Sequence, residues 1–251
     1  METITDIQIV VMFKIDQSIV FTLGDSIKKF QAETNAQVQM LNTPSGARPE
    51  APRVIIATDA YIINISLNRF DIILKVPTHI NRYSEKVLTF CFQSMETIFD
   101  ILIRDKIEYM WGGVIFTIHY PFDKKQVRAL KLLEPVFDKL LKIERKGRSL
   151  ATFNLQYGYQ DQDYYINYTI NGYEVAMIKI PIRKEGKDAV DVGITADMID
   201  EAGIEIRLDI NNKPVKEKTN CIDDFSMLLN KVEKTLKIIL EETGLEEVIS
   251  G

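Results

Sequence analysis

Alternating apolar and polar residues in the stretch INISLNRFDI at 63–72 break around an asparagine, and INYTINGYEV at 166–175 does nearly the same. Strict alternation is the mark of a strand with one buried face, and a polar break between two such runs predicts a hairpin. Setting Tyr61 against Tyr164 pairs Asn64 with Asn167, Asn68 with Asn171 and Phe70 with Tyr173. In the second copy the turn is expected at Asn171-Gly172, because both central positions of a type I′ turn need positive φ. In the first it is expected at Asn68-Arg69.

The flanking patterns extend the correspondence. Before the first hairpin, Ile7–Lys14 reads as a strand, Ser26–Glu33 as a short helix capped by Asp25, and Gln37–Leu41 and Arg53–Thr58 as strands. After it, Val87, Cys91, Met95, Ile98 and Leu102 recur at helical spacing and predict a helix over Ser84–Arg104. The second half repeats the order. Val114–His119 reads as a strand, Lys124–Ile143 as a helix and Ala151–Tyr159 as a strand leading into the second hairpin. Strands are expected at Val190–Ile194 and Glu205–Ile210, with a helical turn near Ala196–Glu201. A final helix over Ile222–Glu242 buries Phe225, Leu229, Val232, Leu236 and Ile239 and ends at Gly244.

These elements predict an α+β protein of two β-α-β4-α repeats: a curved antiparallel sheet backed by long helices. Residues 1–106 form the first repeat and 107–251 the second, which carries an insertion at about 182–219. The order resembles the TATA-box-binding-protein fold, with its two joined units. That resemblance rests on element order alone and implies a fold, since the fold carries several unrelated functions.

Charge decides less in total than in distribution. The 251 residues carry a formal charge of −5, which argues mildly against general attraction to nucleic acid. Residues 124–148 run the other way, with nine Lys or Arg against three acids. On a helix, Lys124, Arg128, Lys131, Lys139, Lys142 and Lys146 fall on one side and make a basic ridge about 33 Å long. Pro135 is expected to kink or split that helix. A ridge of this kind suits phosphate, an anionic ligand or an acidic protein, and equally suits an ordinary solvated face. The acidic segment 220–251, with seven acids against three bases, can also neutralise it.

Tyrosines concentrate in 155–175. Tyr157 and Tyr159 share one face of their strand, and Tyr164 and Tyr168 share one face of the next. Such a cluster offers stacking planes with polar ends, or cross-strand pairs that stabilise the sheet.

Catalytic signatures do not appear. The two histidines, His79 and His119, lack metal-ligand spacing, and there is no phosphate-cradling glycine loop or nucleophile elbow. Cys91 and Cys221 lie in or beside apolar, helix-like stretches and read as reduced thiols, with a disulfide joining the two halves as the alternative. Asp161 and Asp163 read as a polar turn or a cation site, and Asp197, Asp200 and Glu201 as acids in the first turns of a helix. No cofactor or metal is implied. No leader or spanning segment is legible, so a cytoplasmic location off the membrane is expected. The expectation is a non-enzymatic binding or scaffold module, an accessory subunit of a bacterial system, whose partner is another protein or itself. Nucleic-acid binding through ridge and tyrosines is one alternative, and a small-ligand pocket between sheet and helices another.

Overall fold

The computed structural model describes residues 2–44, 46–80, 85–122, 128–141, 153–176, 198–214 and 221–250. The β-branched run after Glu2 forms β1 (Thr3–Phe13). Two helices follow head to tail, α1 (Ile19–Thr22) and α2 (Gly24–Thr34). Four strands come next: β2 (Gln37–Met40), β3 (Val54–Ala57), β4 (Tyr61–Ile65) and β5 (Arg69–Leu74). Helix α3 (Glu85–Ile98) then widens into a π-turn at Phe99–Ile103, closed by the Arg104 N–H donating to the Phe99 carbonyl at 2.8 Å. The chain continues through β6 (Tyr109–Pro121), α4 (Ala129–Leu141), β7 (Asn154–Asp161), β8 (Tyr164–Ala176), β9 (Ile199–Asn211), α5 (Cys221–Thr243) and α6 (Leu245–Ser250).

All nine strands lie in one antiparallel sheet, ordered β2-β3-β4-β5-β1-β6-β9-β8-β7. The chain is therefore an α+β protein. At the centre β1 pairs with β6, Gln8 opposite Ile115 and Ile9 opposite Val114.

Period-two burial decides which face meets the helices. Ile7, Ile9, Ile72, Val114, Phe116, Ile206 and Leu208 are inaccessible to solvent and share one face. Helix α5 presses on that face where Phe225 meets Gly112; a Cβ on Gly112 would stand 2.9 Å from the Phe225 ring. Phe30 of α2 meets Tyr61 at 6.0 Å between ring centroids, and Phe99 of the π-turn meets Phe225 at 6.1 Å. The expected stripes of α3 and α5 are all buried, from Val87 to Leu102 and from Phe225 to Ile239. Helix α5 ends as expected at Gly244, whose φ is +72°.

The structure corrects the sequence reading in five places. First, β8 runs unbroken through Asn171-Gly172. Asn171 lies opposite Asn154 of β7 and Glu205 of β9, and Gly172 lies opposite Ile204 of β9. The turn lies instead at Gln162-Asp163, where Gln162 takes a φ of 53°. Gly172 is a glycine because α4 crosses it: a Cβ there would stand 3.0 Å from the Ala129 Cβ and 3.1 Å from Leu133.

Second, the first hairpin turns at Leu67-Asn68, with Arg69 already in β5 and its carbonyl accepting from the Ser66 N–H at 2.9 Å. Third, Asp25 is not the cap of α2. Helix α1 runs almost directly into α2 and Leu23 occupies the N-cap position, so Asp25 falls in the first turn. Fourth, Asp200 and Glu201 belong to strand β9 and not to a helical turn; Asp197 and Val190–Ile194 lie outside the described residues. The strand expected at Glu205–Ile210, within the range 182–219, is present and longer, as β9 inside the sheet. Fifth, Pro135 does not split α4, which continues through it.

Candidate functional site: the open face of the sheet

Side chains at the alternate strand positions, away from α4 and α5, form rows across the second face. One row runs Ile73, Gln8, Ile115, Asp209, Asn167 and Gly158 through β5, β1, β6, β9, β8 and β7. The next runs Asp6, Thr117, Arg207, Thr169 and Gln156. A third joins Thr3, His119, Glu205, Asn171 and Asn154. The rows are polar through β9, β8 and β7, while toward the other edge the same face also carries Val10, Ile55, Ile62, Ile73 and Ile115.

Its ionisable groups interlock. Arg69 Nε donates to Asp71 Oδ1 at 2.8 Å, and the terminal nitrogen Nη2 bonds the same oxygen. Gln8 Nε2 donates to that oxygen too, at 2.9 Å, tying β1 to β5. Burial pushes the Asp209 carboxyl above its ordinary range, against the pull of Asn211, Arg207, Arg69 and Asn167. Asp6 is likewise raised by burial, with Arg207 opposing. Desolvation therefore outweighs the nearby guanidinium groups at both acids.

At one end of the face, His119 Nε2 lies 3.0 Å from Glu205 Oε2. The imidazole stacks on Tyr173, centroids 4.1 Å apart and planes 20° from parallel. Tyr173 donates its hydroxyl to Glu201 at 2.8 Å, and burial followed by that carboxylate pushes its pKa up. This stack depends on Gly203, the strand partner of Tyr173. A Cβ on Gly203 would stand 2.5 Å from both the Tyr173 ring and the Tyr120 carbonyl.

The acids Asp6, Asp71, Glu205 and Asp209 outnumber Arg69 and Arg207 on this face. The surface thus offers acceptors and negative charge, with neutral amides between them. None of these acids or arginines stood out in the sequence. Their polar positions read there as the solvated half of each strand, and the rows join residues far apart along the chain.

The residues singled out from the sequence lie elsewhere. Tyr157, Tyr159, Tyr164 and Tyr168 do come together, with Tyr157 5.8 Å from Tyr159 and 5.7 Å from Tyr168 between centroids. They share the face of buried Ile166 and Ile170, on the side of the helices. Lys231 of α5 lies 4.5 Å from the Tyr164 centroid and bonds Asp161 at 2.9 Å. Tyr168 is buried, and burial together with Glu242 pushes its pKa up to about 12. Tyr157 stays half exposed. The cluster therefore lines the seam between β7, β8 and α5.

Of the basic ridge, Lys124, Lys142 and Lys146 lie outside the described residues. Arg128 Nε donates to Glu174 at 2.9 Å, and the same carboxylate oxygen accepts the Ala129 N–H at 2.8 Å, so Glu174 also serves the first turn of α4. Lys131 and Lys139 are exposed. Lys139 lies across Gly244, its amine 2.5 Å from where a Cβ would stand, beside the acidic end of the chain. Helix α4 contacts α5 and α6 there.

Both cysteines are buried and free. Burial pushes the Cys91 thiol up to about 12 and raises Cys221 as well. Neither is poised as a thiolate nucleophile. Among the described residues no three His, Cys, Asp or Glu side chains are grouped to hold a metal. None of the described helices is long and apolar enough to cross a membrane. A cleft of about 410 Å³ beside α3 is lined by Pro77, His79, Ile80, Lys86 and Phe90. Another of about 250 Å³ lies at the end of β1, around Lys14, Ile15 and Glu108. The second also touches Phe13 of β1 and Ile19 of α1, where strand and helix meet. No protein-family model matches the chain, and no curated protein sequence matches it.

Proposed function

We propose that this chain is a non-enzymatic binding module that docks another protein on the open face of its sheet. The observation that carries the reading is the run of polar and charged side chains across β1, β6, β9, β8 and β7, which no described element covers. Its excess of acids, and the desolvation of two of them, suits a partner surface rich in Lys, Arg and hydrogen-bond donors. It runs against a phosphate backbone, so the nucleic-acid alternative draws nothing from this face.

The strand order supports a duplicated scaffold. Counting outward from the central pair, β1, β5, β4 and β3 on one side match β6, β9, β8 and β7 on the other. On this reading residues 1–106 and 107–251 are two units of the TATA-box-binding-protein-like kind, joined through β1 and β6. The matching strands β4 and β8 begin at Tyr61 and Tyr164, as in the sequence alignment. The longer link of the second unit falls before β9.

The test compares capture across surfaces. Thr117→Lys with Thr169→Lys adds two cations to the open face. Lys28→Glu with Glu33→Lys alters the exposed side of α2. A protein retained from the native host by wild type and by the α2 variant, and lost with the open-face variant, supports the reading. Equal retention by all three contradicts it. A salt titration against generic duplex and single strands gives a steep log–log slope only if the nucleic-acid alternative holds.

A further inference from the structure

Strand β7 ends the sheet, and no described strand pairs with its outer edge. Natural edge strands are blunted by lysine, proline, bulges or brevity. The eight residues of β7, NLQYGYQD, contain no lysine or proline, and their only ionisable acid is the last. That acid, Asp161, is engaged by Lys231 at 2.9 Å. The ladder with β8 runs through eight successive pairs without a bulge. The outward N–H and C=O groups of β7 therefore form a straight, neutral template with no described partner.

We propose that β7 pairs antiparallel with β7 of a second copy of this chain, across a two-fold axis at Gly158. Length selects this occupant over the other sheet edge. Strand β2 has only four residues, so a β7–β2 junction leaves half of β7 unpaired and, being heterologous, propagates into filaments. Side chains select the register. With the axis at Gly158, Tyr157 faces the second copy's Tyr159 and Gln156 faces its Gln160, so no like charges meet. Gly158 leaves the crossing point without a side chain, where Asn167 Oδ1 already crowds the Cβ position. Tyr157, 53% exposed, gains cover from the partner strand. This contact is separate from the open sheet face and does not rest on the docking reading.

Sedimentation equilibrium of the full chain, from sub-micromolar to high micromolar, is expected to fit a monomer–dimer equilibrium with no larger species. Gln156→Lys with Gln160→Lys sets lysine opposite lysine twice, and is expected to weaken the dimer about tenfold or more. Mixing that variant with Gln156→Glu/Gln160→Glu is expected to restore a heterodimer at least as tight as wild type. Both substituted positions are exposed, and matching thermal melts by circular dichroism establish that the monomers are intact. A monomer at every concentration, a dimer insensitive to the lysines, or a ladder of larger species would each overturn the proposal.

Discussion

Removing the Asn212 side chain is expected to loosen the seat of α5 more than any surface change. Asn212 is 2% exposed. Its Oδ1 accepts the Gly112 N–H at 2.8 Å, while its own N–H donates to the Gly112 carbonyl at 3.0 Å. Its Nδ2 donates to Asp224 at 2.6 Å and to the Tyr109 hydroxyl at 3.3 Å. Tyr109 completes the knot by donating to Asp224 at 2.8 Å. The chain after β9 is thereby clamped to β6 and to the first turn of α5. Asn212→Ala strands a buried N–H, at about 1–3 kcal/mol, and strips a bond from a buried carboxylate, at about 1.5–3 kcal/mol. The sum is about 2.5–6 kcal/mol against a total stability of about 5–15 kcal/mol. With a urea slope of about 3 kcal/mol/M, the unfolding midpoint falls by about 0.8–2 M. Asn212→Asp keeps the acceptor for Gly112 but sets two carboxylates together, so its deficit should be largest at neutral pH and shrink as one is protonated. A midpoint shift below about 0.3 M for Asn212→Ala would refute the claim that this knot holds α5 in place.

Two glycines inserted between Gln162 and Asp163 should cost under about 1 kcal/mol, as loop lengthening does, whereas the same insertion between Asn171 and Gly172 should prevent folding, read by circular dichroism. Asp209→Asn should raise the melting temperature at neutral pH. The raised carboxyl of Asp209 keeps more protons in the folded state than in the unfolded, so stability is lost as pH rises from the ordinary aspartate range through the raised value. The advantage of the amide should vanish in more acidic buffer, and a lower melting temperature at neutral pH would show that Arg207 and Arg69 dominate instead. Both thiols should resist a disulfide reagent in native buffer and react together on unfolding, since Cys91 is inaccessible and Cys221 nearly so; a fast-reacting thiol in the folded protein would contradict their placement.

The helices were legible because their signal is local. Burial at every third or fourth residue records the core-facing side of α3 and α5 directly in the sequence. The strands were legible for the same reason at period two, including the matching starts of β4 and β8. Asn171-Gly172 misled because its glycine answers a tertiary demand, the crossing of α4, in a dipeptide that local rules assign to a turn. The true turn, Gln162-Asp163, falls where Asp161 and Asp163 already read as a polar turn, a weaker mark than Asn-Gly. The tyrosines were correctly placed two to a strand face, but no local pattern says that this face carries α5.

The open face was invisible for a different reason. Asp6, Arg207 and Thr169 become neighbours only through strand register, and sequence spacing keeps no record of it. The desolvation of Asp6 and Asp209 is likewise a property of the assembled sheet. Charge counted along the chain drew attention to the α4 segment, where Arg128 turns out to serve Glu174 and Lys139 to lie over the end of α5. Charge counted across the strands points to the other side of the molecule.

One sheet, joined through β1 and β6, brings the acid-rich rows onto one face. Gln8 and Ile115 are register partners on that face, within disulfide reach of each other once both are replaced by cysteine. Under mild oxidation of the Gln8→Cys/Ile115→Cys variant, rapid and complete formation of a disulfide between the two substituted positions is predicted, with Gln8→Cys/Arg207→Cys remaining reduced. Failure of the first pair to close, or equal closure of both, would contradict the central joint and the face built on it.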